Sequence, residues 1–228
     1  MSIDAFIKDL AAFESDSVFN PYAHLCEIYD RQDAARIRRR NLRELVTSAL
    51  DGGATTIWVA RDLGYRGGRR TGLALTDEAH LVQLSSVFKA RKIAKATKGP
   101  IVAERTATVI WQMLSRIEEP VMLWNVFPFH PHEKNDPMTN RCHTRSERQA
   151  AAPFLEALID MIRPERIVAI GRDAASALED LSVPVYCARH PSYGGQTEFN
   201  EQIETLYRLK PQRPRQQRLA LDRQVESA

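Results

Sequence analysis

Apolar residues recur along the chain at two periods, and the two kinds of segment alternate. Ile3, Phe6, Ile7, Leu10 and Phe13 fall at helical spacing and predict a short packed helix, ended by the turn signals Asn20, Pro21 and Tyr22. Leu42, Leu45, Val46, Ala49 and Leu50 line one face of a second helix over about residues 34–50, which Gly52 and Gly53 stop. A β-branched and apolar run, Thr55 to Ala60, then predicts a buried strand. Residues 73–88 read as a loop turning helical, and Val109, Ile110, Met113, Leu114 and Ile117 give an amphipathic helix over 101–118. After Pro120 comes Val121 to Phe127, apolar except for Asn125, as a strand covered on both faces should be.

The alternation continues to the C-terminal end. Ser146 with Gln149 suggests a capping box for a helix through Ala151, Phe154, Leu155, Leu158 and Ile162, in which Pro153 marks either a kink or the first turn. Arg166 to Gly171 is a third strand, followed by a short helix through Ala174, Ala175 and Leu178. Val185 to Ala188 reads as a fourth, buried strand, and residues 197–209 as a last helix. Strands separated by helical sequence predict an α/β fold, a three-layer α/β/α sandwich with a central four-stranded parallel sheet.

Composition narrows the class. A chain of 228 residues with 43% hydrophobic content fits one domain, placed at 1–209. The remainder, 210–228, carries Lys210, Arg213, Arg215, Arg218 and Arg223 and reads as a disordered basic tail. There is no run of about 18 apolar residues and no cleavable signal pattern, so no membrane association and a cytoplasmic location, at the nucleoid if the source is bacterial, are expected. Three cysteines without CxxC spacing argue against a disulfide framework or a zinc ribbon, and burial is the expected fate of all three. Net charge is only +3, but the basic residues are clustered, at Arg36 to Arg43, at Arg66 to Arg70 and at Lys89 to Lys98. Each cluster reads either as a solvated face or as a surface for a polyanion.

Candidate chemistry sits where strands end. Asp62 follows the first strand, Asn125 lies near the end of the second, and His190 follows the fourth, so a parallel sheet delivers all three to one carboxyl edge. Taken singly, each has a plain structural reading: a turn or cap aspartate, a loop-anchoring amide, a strand-end histidine. Convergence on one edge favours a site. The intervening loop holds His130, His132, Cys142 and His143, whose spacing fits no zinc pattern and which reads as polar surface.

These residues carry a resemblance to the uracil-DNA glycosylase superfamily over about residues 20–209. ARDLGYRGGRRTGLALTD resembles the strand-end motif with the water-activating acid, LWNVFPFHP the pyrimidine-recognition strand, and HPSYGG the histidine motif whose loop enters the minor groove. Residues 140–178 are similar to the linking region of the iron-sulfur branches. Departures accompany the likeness. Ala60, Arg61 and Leu63 replace the usual residues of the first motif, Gly64 stands where the best-known branch has the tyrosine that shuts out the thymine methyl, and Leu75 where it stacks a phenylalanine. Ala151 replaces a cluster cysteine, so no iron-sulfur centre, metal or other cofactor is expected.

The resemblance implies a monomeric, monofunctional glycosylase that flips uracil out of DNA and leaves an abasic site, with uracil-containing and abasic-site DNA as partners. Asp62 would orient water and stabilise the sugar cation, and His190 the departing base. Asn125 would read the uracil edge, with Leu75, Tyr65, Phe127 and Phe129 as further base contacts and sources of thymine exclusion. Arg189, Ser192, Tyr193, Gly194 and Gly195 would grip the DNA, Tyr193 as the wedge filling the vacated stack or as ordinary loop packing. Arg66, Arg69, Arg70, Lys89 and Lys92 would extend the positive surface. Two rivals stay open: a glycosylase for hypoxanthine or mispaired thymine, and a non-catalytic binder of damaged DNA. Water activation by Glu78 or His80 instead of Asp62 is a further alternative.

Overall fold

Four apolar runs of the sequence form one parallel sheet. The computed structural model describes residues 1–91 and 93–211. Its elements are α1 (Ile3–Ala12), β1 (Val18–Phe19), α2 (Ala34–Asp51), β2 (Thr56–Asp62), α3 (Gly68–Thr71), a 3-10 turn (Glu78–His80) and α4 (Leu81–Val87). Then follow α5 (Arg105–Leu114), β3 (Val121–Phe127), β4 (His130–Pro131), α6 (Arg145–Ile162), β5 (Arg166–Ile170), α7 (Arg172–Ala177), β6 (Val185–Ala188) and α8 (Gln196–Leu206). The sheet order is β3-β2-β5-β6, all parallel, and β1 pairs separately with β4, antiparallel. That small ribbon has no counterpart in the sequence pattern, since two residues are too few to show a period.

Helices cover both faces. Trp124 stands across from Val59 and Leu123 across from Trp58, so the two tryptophans point to opposite sides of the sheet. Trp124 meets Phe6 of α1 with ring centroids 5.5 Å apart, whereas Trp58 meets Phe199 of α8 at 6.1 Å. The apolar stripes of α1 and α8 therefore bury against opposite faces, which makes the three layers. Every residue of β3 is buried, as its continuous apolar sequence requires.

Several local expectations shift. The box that starts α6 is Thr144 with Glu147, two residues earlier than Ser146 with Gln149, because Thr144 Oγ1 accepts from the Glu147 amide at 3.1 Å and Glu147 reaches back to the Thr144 amide. Pro153 lies inside that helix. The helix expected from residue 101 begins only at Arg105, after Glu104 donates its backbone N–H to Asp77 Oδ2 at 2.5 Å. β6 is an edge strand, so Tyr186 and Cys187 are exposed instead of buried. Cys142 is exposed too, and only Cys26 is buried. Arg38, in the first basic cluster, is fully buried, ion-paired to Asp30 and donating Nε to the Arg70 carbonyl at 3.0 Å.

One feature of the register opens the site. β2 pairs with β3 as far as Asp62, but with β5 only as far as Val59. The last turn of β2 thus has no strand on one side, and the chain crosses from β3 over β2 to β5 at this point. Reversal of strand order at a carboxyl edge leaves a crevice.

Candidate active site

A cavity of about 910 Å³ occupies that crevice, lined among others by Asp62, Gly64, Leu75, Glu104, Asn125, Asp173, Arg189 and His190. The three strand-end residues expected to converge do meet on it. Its volume is that of a small-molecule pocket.

Asp62 is held at both oxygens. Arg61 Nε donates to Oδ2 at 2.6 Å, and Nδ1 of His143 makes a close contact with Oδ1. Arg61 also pairs with Asp173. The Asp62 side chain is only 7% exposed, and the Arg61 guanidinium beside it supplies the opposite charge while Asp62 lines the cavity. His143, expected on a polar surface loop, is instead packed behind Asp62 and against Phe127, with ring centroids 5.6 Å apart.

His190 is presented by the end of β6 and by a glycine opposite. Gly171 has φ 96°, and a Cβ there would stand 3.1 Å from His190 Cβ, so the absence of a side chain lets the imidazole close on β5. The Ser192 amide donates to His190 Nδ1 at 3.2 Å, and Ser192 Oγ lies 2.7 Å from the same nitrogen. A nitrogen that accepts from an amide carries no proton, so the neutral ring holds its hydrogen on Nε2. Burial, then the Arg61 and Arg189 charges, lower the His190 pKa below the usual histidine range and keep it neutral.

Asn125 is 1% exposed, and neither Oδ1 nor Nδ2 has a hydrogen-bond partner. An orphaned amide costs about 1–3 kcal/mol per unmet group unless something else satisfies it. Here it faces a cavity, where a ligand offering one donor and one acceptor completes it. Leu75, on the same wall, adopts φ 55°, a left-handed conformation that non-glycine residues hold at some cost. Trp111 Nε1 fixes it by donating to the Leu75 carbonyl at 3.2 Å.

Other expected site residues lie elsewhere. Phe127 and Phe129 are fully buried in an aromatic cluster with Phe13, which stacks on Phe129 at 4.2 Å, and Tyr65 is not among the lining residues. Arg69 and Arg70, expected on a positive surface, are interior: Arg69 donates to Tyr29 Oη at 2.7 Å and to His130 Nδ1 at 2.9 Å, and Arg70 pairs with Glu78 at 3.2 Å. Burying a guanidinium needs such partners, and the Gly-Gly-Arg-Arg sequence does not show them. Arg66 and Lys89 are exposed, while Lys92 lies outside the described residues, as does the tail from 212 onward. Glu78 is tied to Arg70 and His80 to Asp77, and neither lines the cavity.

Beside the cavity, Arg189 and Ser192 reach its rim. Tyr193 is 100% exposed with φ 50°, followed by Gly194 at φ 78°. The Gly195 amide is used internally, donating to the Ser192 carbonyl at 3.0 Å, so the 192–195 turn is closed on itself with Tyr193 at its tip. Three site residues escape the sequence pattern. Arg61 and His143 hold Asp62, and Glu104 is a further carboxyl of the lining, as are Asp173 and Glu198. Burial, then Asp77, raise the Glu104 pKa, with Arg66 opposing.

Fold and site define an α/β protein whose ligand cavity lies at the carboxyl ends of parallel strands, furnished with a carboxylate, an amide and a neutral imidazole. The chain belongs to the uracil DNA glycosylase superfamily, whose family model matches residues 63–210, from just after Asp62 through Asn125 and His190. Membership places it among the DNA glycosylases, hydrolases of N-glycosyl bonds in DNA. The crystal structure of wild-type SMUG2 from Pedobacter heparinus matches with a TM-score of 0.57 and 14% identity, over 91% of this chain and 97% of that one. At that identity the likeness is one of fold. No curated protein matches the chain.

Proposed function

We propose that the protein removes uracil from DNA by hydrolysing the N-glycosidic bond of deoxyuridine. The observation that carries this reading is the buried, unpartnered Asn125 amide in a cavity shared with Asp62 and His190. Uracil presents an N–H beside a carbonyl, which the amide's oxygen and NH2 group match.

As the bond breaks, its electron pair leaves with the base and positive charge grows on the sugar. His190, with its hydrogen on Nε2, donates to the uracil O2 that collects the negative charge. Asp62 faces the sugar, stabilises the cation and orients the water whose oxygen bonds to C1′; the water's surplus proton passes to solvent. Arg61 and His143 keep Asp62 aimed. Because the bond is hidden in the duplex, the base must be flipped, and Tyr193 at the tip of the 192–195 turn fills the gap. Uracil-containing and abasic DNA are accordingly its partners.

The reading is tested by base release from duplexes carrying uracil, thymine, hypoxanthine or no lesion. Uracil is expected to be freed. Asp62→Asn and His190→Ala should each slow release on the order of 100-fold or more, with little change in DNA affinity. Binding without release of any base would make the protein a sensor of damaged DNA, and near-normal rates in both variants would remove the assigned roles.

A further inference from the structure

Arg61 is a cation of the cavity lining that holds two carboxylates of opposite character. Nε donates to Oδ2 of Asp62 at 2.6 Å, and Nη1 pairs with Asp173 on α7. The Asp62 side chain is 7% exposed, and that of Asp173 is 67% exposed. An ion pair with a buried carboxylate is costly to break, because a charge is left stranded out of water. One with an exposed carboxylate is worth little and exchanges readily. The guanidinium is thus anchored at one edge and loosely covered at the other. Among the described residues Nη2 bonds no acceptor, and Asp173 pairs with no second cation. Arg172 and Arg189 line the same cavity, and Arg189 Nε lies 3.9 Å from Glu198, too far for a hydrogen bond.

The end of β2, the start of α7 and the loop after β6 meet at the cavity through Arg61, Asp173 and Arg189. Partial exposure puts the Arg61–Asp173 pair at the mouth, whereas Asn125, 1% exposed, lies at the floor. A nucleotide turned out of DNA carries its base inward and keeps its flanking phosphates at the mouth. Two oxygens of a phosphate match the fork of Nη1 and Nη2. We propose that Arg61 binds a backbone phosphate of the nucleotide entering the cavity, and that Asp173 occupies the same guanidinium in the free protein and gives way to that phosphate. This inference rests on entry of a nucleotide into the cavity, and not on which base it carries. Because Nε stays on Asp62, the fork is already in place when Asp173 leaves, and no long side chain has to be ordered on binding. The cost is competition: an arginine that must first leave a carboxylate binds DNA more weakly than a free one, in proportion to the time it spends paired.

The experiment measures equilibrium binding of the full-length protein to a duplex carrying a tetrahydrofuran abasic-site analogue, which offers no base to release, at salt from about 50 to 200 mM. Wild type is compared with Asp173→Asn, Arg61→Gln, the double variant, and Glu198→Gln, which removes the same charge from the cavity lining without freeing Arg61. Glu198→Gln reads the gain from losing a negative charge alone, and Asp173→Asn is expected to tighten binding about 2- to 5-fold beyond it, the worth of an exposed ion pair. Arg61→Gln should weaken binding and reduce the slope of log K against log salt by about 1. In that background the excess gain from Asp173→Asn should vanish. Equal gains from Asp173→Asn and Glu198→Gln overturn the inference, even if Arg61→Gln does not fold. So does a folded Arg61→Gln with an unchanged salt slope, or an excess that survives in the double variant. A wild type that does not bind the duplex overturns it too, whereas failure to release uracil, read separately, overturns only the uracil reading.

Discussion

At Asp62 the carboxylate is gripped from two sides, by Arg61 Nε at 2.6 Å and by Nδ1 of His143. Of the two, His143 bears no contact with the cavity and acts only through Asp62. On the proposed role of Asp62, removal of His143 leaves Oδ1 free to rotate away from the sugar, and misplacement of a catalytic group by about 1 Å costs up to 100-fold. His143→Ala is expected to lower kcat by about 10- to 100-fold with KM nearly unchanged, and His143→Asn, which keeps a donor, to recover part of it; steady-state release of uracil measures both. Asp62, Asn125 and His190 were legible in the sequence because strand ends can be located from apolar runs, and parallel strands put their ends together. His143, Arg61 and Glu104 were not. Their roles depend on contacts across the chain, as between Asp62 and His143, which no local pattern shows. Arg69 and Arg70 misled for a related reason: charge predicts a surface only until a buried partner such as Tyr29, His130 or Glu78 is known.

Among the elements, the β5–α7 junction decides where β6 can place His190. Gly171 donates its amide to the Ala188 carbonyl at 2.7 Å and takes φ 96°, closing β5 onto the end of β6. Gly171→Ala adds a left-handed strain and a Cβ 3.1 Å from His190 Cβ. It should lower stability by about 1–2 kcal/mol and turnover by about 10-fold, read from urea unfolding and base release on the same preparation. The four strands of the parallel sheet were recoverable from sequence, and the sheet's edges were not. Val185 to Ala188 has the composition of an interior strand, but neighbours, not composition, determine burial, and β6 has a partner on one side only. The start of α5 was likewise hidden, because Asp77 takes up the Glu104 amide and shortens the helix the periodicity alone would draw.

For the molecule as a whole, buried histidines tie stability to pH. His130 accepts from Arg69 at Nδ1 and donates from Nε2 to the Thr139 carbonyl at 2.8 Å, which fixes it neutral; burial and the Arg69 charge bring its pKa down to about 3. The unfolded chain binds a proton near pH 6.5, the folded one does not, so stability is fully present above that range and falls as pH drops toward 3. The slope is up to about 1.4 kcal/mol per pH unit for this group, and His24 and His190, also lowered by burial, act in the same direction. Urea unfolding at pH 7 and pH 5 should show the loss, and His130→Asn, though less stable at pH 7, should show a shallower decline. An equal slope in the variant would locate the acid sensitivity elsewhere.

The unmet amide of Asn125 has a consequence over longer times. A leucine of similar size at the end of β3 would remove two unsatisfied polar atoms from the interior, so on the role proposed for Asn125 the residue that folds best here is not the one that reads the base. On that proposal, stability and activity pull residue 125 in opposite directions. In a lineage that no longer needed the reaction, an apolar replacement there would be among the first changes tolerated, which makes the persistence of asparagine a gauge of whether selection still acts on the site.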